Sequence, residues 1–139
     1  MMAINLCLFA SGLFLTVGLL TGIWKYERMM ARPDHRAPVY VDIAHRASFL
    51  YSFAALVMAK LLEYSPFSLK IQILSASVPL FFFAASIARY IQLGWQNQTE
   101  NQFRERNFIT TWGIYLLIIG ELAGILLIFG GFIYTQLLS

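Results

Sequence analysis

The chain has 139 residues, of which 59% are hydrophobic and 12% charged, with a formal net charge of +3. A charged fraction about half that of ordinary soluble domains excludes a soluble globular protein. It excludes equally a disordered chain, a disulfide-knit secreted module and a nucleic-acid reader, which need polar surface, several cysteines or a dense basic face; the lone Cys7 cannot close an internal bridge.

A hydrocarbon layer about 30 Å thick is crossed by roughly 20 apolar helical residues. The sequence offers that length four times, which predicts an all-α protein, a four-transmembrane-helix bundle forming a single integral membrane domain over residues 1–139. The first span is expected at 4–24. No basic residue precedes it and its apolar run exceeds a cleaved signal core, so it is expected to be retained. The second, about 43–62, opens on His45-Arg46 and closes at Lys60 and Glu63, whose long side chains can reach an interface. The third, about 71–93, contains Pro79, tolerated in lipid where a neighbouring helix covers the freed carbonyl. The fourth, about 108–137, is long enough to tilt. None of these runs alternates with the period of two that barrel strands require.

The connections are short, so their basic residues report orientation. Lys25, Arg28, Arg32, Arg36, Arg46, Arg89, Arg104 and Arg106 fall at one end of the bundle, and only Lys60 and Lys70 at the other. That asymmetry predicts a cell inner membrane protein with both termini outside the cytoplasm. Trp24, Trp95 and Trp112 fall at the basic end, as interfacial indoles do. The glycosylation-like Asn97-Gln98-Thr99 would then face inward and stay unmodified.

Small residues at helical spacing mark packing seams in lipid. Gly113, Gly120, Gly124 and Gly131 form one stripe in the fourth span, and Ser11, Gly18 and Gly22 another in the first. Either stripe could serve packing inside the chain or a seam to a cofactor or a second subunit. In the second span His45, Ser48, Ser52, Ala55 and Ala59 share a face. An imidazole above small side chains is a means of admitting a haem, with His45 as the metal ligand and Ser48 and Ser52 bordering the macrocycle; His45 read as an interfacial polar residue beside Arg46 is the alternative. Glu121 lies near the middle of the fourth span. A carboxyl there is expected to be protonated, to bond a hydroxyl, or to line a wet cavity, with Tyr51, Ser52, Ser86 and Ser11 as candidate partners. Tyr90 shares a face with Ser86 at the depth of His45, where its phenol can donate to a ligand or act as a belt aromatic. Arg89 beside it can snorkel outward. Protein-only metal sites, phosphate loops, nucleophile elbows and paired glycosidase carboxylates are absent from the pattern.

Four short-looped spans, Ala44-His45 opening the second, Tyr90 near the end of the third, and Asn101-Gln102-Phe103 in the following loop together resemble the styrene oxide isomerases and, more distantly, the hydroxylaminobenzene mutase-like membrane proteins. The likeness covers about half the chain. It implies a trimeric haem b enzyme in which His45 holds a ferric Lewis acid, an epoxide opens with hydride migration to a carbonyl, and Tyr90 orients the substrate. Tyr51 stands where that family has an active-site asparagine, six residues after the ligand. The resulting expectation is a small membrane protein that binds haem b and acts as an isomerase on a small apolar substrate. The alternative from another class is a non-catalytic subunit or assembly partner in a membrane complex; an ion-conducting element centred on Glu121 ranks below both. A homo-oligomer through the glycine-bearing faces and the lipid bilayer are the expected partners, and nucleic acid is not.

Overall fold

A computed structural model describes Met1–Leu138. Four α-helices follow one another: α1 (Met2–Met30), α2 (Val39–Leu62), α3 (Leu69–Gln96) and α4 (Ile114–Leu137), the last preceded by a π-helical turn at Ile109–Gly113. No strand occurs among the described residues. Three helical stretches, Met2–Met30, Leu69–Gln96 and Ile109–Leu137, are long and apolar enough to cross a membrane. α2 falls short of that measure, since His45, Arg46 and Lys60 interrupt its apolar run.

The helix ends follow from local chemistry. Pro38 occupies the N-cap of α2, where its missing N–H costs nothing. Asn97 stops α3 in a left-handed conformation (φ 49°), which asparagine tolerates better than most residues. Inside α3, Pro79 leaves the Ser75 carbonyl without its helical partner. That oxygen lies against Gly124 of α4, where an added Cβ would sit 2.6 Å away.

Small side chains set the packing. α1 runs along α2, α3 touches every other helix, and α4 lies on α3 with a lesser edge against α2, while α1 and α4 do not meet. Along the first seam the Ser11 hydroxyl donates to the Ser52 carbonyl and the Ser52 hydroxyl to the Ser11 carbonyl, each at 2.9 Å. Ala3, Cys7, Ala10 and Phe14 pack with Ala55, Met58 and Ala59 in the same buried cluster. A hydrogen bond between apolar helices contributes about 0.6 to 2 kcal/mol. Ser52→Ala is therefore expected to lower stability by about 1 kcal/mol, as read from reversible unfolding in mixed micelles.

α4 is held by its glycines. Cβ atoms at Gly120, Gly124 and Gly131 would collide with Phe82, with the Pro79 ring, and with Phe67 respectively, so each glycine marks a close approach to α3 or to the turn before it. At its far end the Thr135 hydroxyl donates to the Tyr64 carbonyl at 2.7 Å. These faces, like Gly18 and Gly22 of α1 against α2, close seams inside the chain. Packing inside the chain is one of the two roles expected for them. Gly12 and Gly130, by contrast, face open space.

Candidate functional site

The α2 face carrying His45, Ser48, Ser52, Ala55 and Ala59 is real, but α1 covers it. Ser48 is fully buried and donates to the Ala44 carbonyl at 2.7 Å. Ser52 is taken by Ser11. The His45 ring is half-buried, edge-on to Phe49 with centroids 5.1 Å apart. Its Nδ1 lies 2.9 Å from the Gly18 carbonyl. A carbonyl only accepts, so Nδ1 carries the proton and Nε2 holds the free lone pair. That is the tautomer of a metal-bound imidazole whose other nitrogen is anchored to the backbone. The donor chemistry suits an axial ligand, whereas the cradle does not: a Cβ on Gly22 would stand 2.8 Å from the ring, and α1 fills the groove where a macrocycle would lie. Within one chain these residues do not frame a haem, and among the described residues no cluster of three metal-binding side chains occurs.

The remaining polar candidates come together elsewhere, between α2, α3 and α4. The Tyr51 phenol faces the Ser86 hydroxyl, with Glu121 and Tyr90 close enough to act on it electrostatically. Tyr51 stacks on Phe83 with centroids 4.3 Å apart. Tyr90 stacks on Tyr40 at 6.2 Å, and the Tyr40 oxygen accepts the Gln102 N–H at 2.6 Å, which ties the α3–α4 loop to this cluster. Glu121 is half-buried, and its Oε1 is covered without a hydrogen-bond partner. Of the four partners expected for it, Ser11 and Ser52 are excluded because they bond each other.

Beside this cluster the α3–α4 seam opens. Above Gly120 the two helices part around a cavity of about 360 Å³ lined by Phe82, Ala85, Ser86, Arg89 and Tyr90 of α3, by Gln102, and by Phe108, Gly113, Ile114 and Leu117. Exposed Phe81, Phe108, Ile109 and Leu116 rim it, so its mouth is apolar. The π-helical turn shapes this opening. The Gly113 N–H reaches the Phe108 carbonyl at 2.9 Å, five residues back, which widens the turn by one residue. Gly113 was expected to join the packing stripe. Instead it faces the chamber, and a Cβ there would meet only Phe108 and Ile109 of its own turn, at 3.5 Å or more. A hydrophobic stripe does not reveal such a widening, and this is why the sequence pointed to Tyr90 and Ser86 without revealing the void they line. Phe82 was missed, while Gln102 and Gly113 had been noted only in other roles, Gln102 in the loop tripeptide and Gly113 in the glycine stripe.

At the same end Asp42 pairs with Lys25 at 2.6 Å and with Arg46 at 2.8 Å, across the α1–α2 junction. Trp24 and Trp95 meet there as well, 6.2 Å apart.

Neither a family model, a curated protein nor a solved structure matches this chain.

Proposed function

We propose that this chain is a four-span integral membrane protein that draws a small apolar molecule from the bilayer into the α3–α4 chamber and acts on it as an isomerase. The observation that carries this reading is the chamber itself, an apolar cavity with an apolar mouth and a phenol and a hydroxyl in its wall. Ligand sites are typically concave and apolar with a few placed polar groups. An engineered cavity of about 150 Å³ holds benzene, so about 360 Å³ suits one molecule of roughly a dozen heavy atoms. An isomerisation fits a chamber for a single guest, because it is redox-neutral and consumes no second substrate.

α2 is the fourth span in this reading. Its charges sit at its two ends, where Asp42 is paired with Lys25 and Arg46, and Lys60 with Glu63. Its buried serine hydroxyls are bonded to backbone carbonyls. What remains facing outward is Leu50, Phe53, Leu56 and Val57. The excess of basic residues at the chamber end supports a cytoplasmic position for that end, with both termini outside.

Tyr90 is the residue that touches the guest, its phenol keeping its proton and donating a hydrogen bond to the epoxide oxygen as one carbon–oxygen bond breaks; hydride then moves from the carbon that keeps the oxygen to the neighbouring carbon, leaving a carbonyl. Ser86 shares the wall. Tyr51, behind Ser86 and in the place of the asparagine of the styrene oxide isomerases that the chain resembles, is a positioning residue. Glu121 supports the same polar cluster from α4. No step is routed through haem b. That part of the resemblance has its own test, an absorption spectrum of protein expressed with haem supplied. A Soret band removed by His45→Ala supports ligation, and its absence from the wild type opposes it.

The reading is tested by incubating the protein in nanodiscs with small aryl epoxides and following the carbonyl isomer by chromatography. Turnover reduced at least about a hundredfold in Tyr90→Phe supports it, that being the low end of what a positioned proton donor contributes. Probe binding without turnover of any epoxide points instead to a non-catalytic membrane subunit.

A further inference from the structure

Arg89 stands at the boundary of two cavities. It lines the apolar chamber and also a polar cavity of about 280 Å³ under the α3–α4 loop, and Gln102 lines both as well. One guanidinium nitrogen donates to the Gln92 side chain at 2.9 Å. Its Nε is buried with no hydrogen-bond partner, and no carboxylate pairs with Arg89 among the described residues. A covered guanidinium N–H without an acceptor is costly, and a planar fork of donors matches a carboxylate. The other charges facing the polar cavity are Arg104 and Glu105, one of each sign, so they leave the positive charge of Arg89 uncompensated there.

We propose that the substrate of this site is an amphiphile, an apolar body held in the chamber with a carboxylate at one end held by Arg89. The inference rests on the chamber being the binding site and adds the chemistry of the guest's far end. The apolar body enters through the rim, the carboxylate stops at Arg89 where the wall turns polar, and the loop carrying Gln102 closes over the junction. The Gln102 backbone N–H is already engaged by Tyr40, and the Arg89 guanidinium is the cationic donor among the residues that line the apolar chamber.

The test compares 4-phenylbutyrate with its methyl ester, by calorimetric titration of the full chain in zwitterionic nanodiscs. The acid is expected to bind about tenfold more tightly than the ester, the low end for a charge-assisted hydrogen bond. Arg89→Gln is expected to erase the difference between acid and ester, and Arg89→Lys to keep part of the preference, which shows that the site still folds. Equal binding of acid and ester by the wild type, or a preference that survives Arg89→Gln, overturns the carboxylate site while the chamber stands. If neither ligand binds, both the carboxylate site and the chamber fall.

Discussion

Leucine in place of Gly113 is expected to lower the affinity for a small apolar ligand at least about tenfold, with helix content and melting temperature close to wild type. The asymmetry comes from the position of this glycine. It faces the chamber, and a side chain there would meet only ordinary contacts within its own turn, so the added isobutyl group has space to enter and only the guest to displace. Overpacking costs about 1 to 3 kcal/mol where a core is already full; this one is not. Fluorescence titration with a neutral aromatic probe in nanodiscs, beside circular dichroism of the same sample, checks both halves of the statement. A variant that still binds as wild type would mean that the guest lies elsewhere.

The opposite result is expected eleven residues further along the chain, inside α4. Gly124→Ala places a methyl group against the Pro79 ring and the Ser75 carbonyl, neither of which can swing aside as a flexible side chain would. α4 can then dock only by moving away from α3. The expected loss is about 3 kcal/mol or more, at the upper end of overpacking costs, seen as a lower midpoint in micelle unfolding and as new protease cleavage within the loop before α4. Gly130→Ala serves as the internal control. Nothing lies within 4 Å of its Cβ position, so it is expected to be neutral or slightly stabilising through helix propensity. If both variants unfold alike, the α3–α4 seam described above is wrong.

The helices were legible because lipid imposes a simple rule: every backbone polar group must be satisfied within the segment, so a long apolar run becomes a helix. The four expected stretches appear as helix; the first and third are longer at both ends, the second at its start, and the fourth opens on the π-helical turn at Ile109–Gly113. The faces were legible too. Ser48, Ser52, Ala55 and Ala59 are buried together, and three of the four glycines of the α4 stripe meet α3 or its preceding turn. What a face packs against was not legible, since a stripe of small residues looks alike whether it waits for a cofactor, a second subunit or the preceding helix. In this chain the α2 face packs against α1. The α3–α4 chamber was hidden for another reason. Its wall includes the π-helical turn at Ile109–Gly113, whose extra residue leaves the apolar pattern of the sequence intact. The clustering of Tyr51, Ser86, Tyr90 and Glu121 was partly anticipated by counting depth along each span, a method that gives height in the bundle but not which helices stand next to each other.

The account depends on one molecule of apolar guest occupying the space between α3 and α4. The most direct measurement is photolabelling of the nanodisc-embedded protein with a small neutral aryl diazirine, followed by mass-spectrometric mapping of the adducts. Saturable labelling concentrated on the chamber segments 81–90 and 108–117, and removed by Gly113→Leu, is the expected result. Labelling that does not saturate and spreads along the outward faces of α1 and α4 would contradict it.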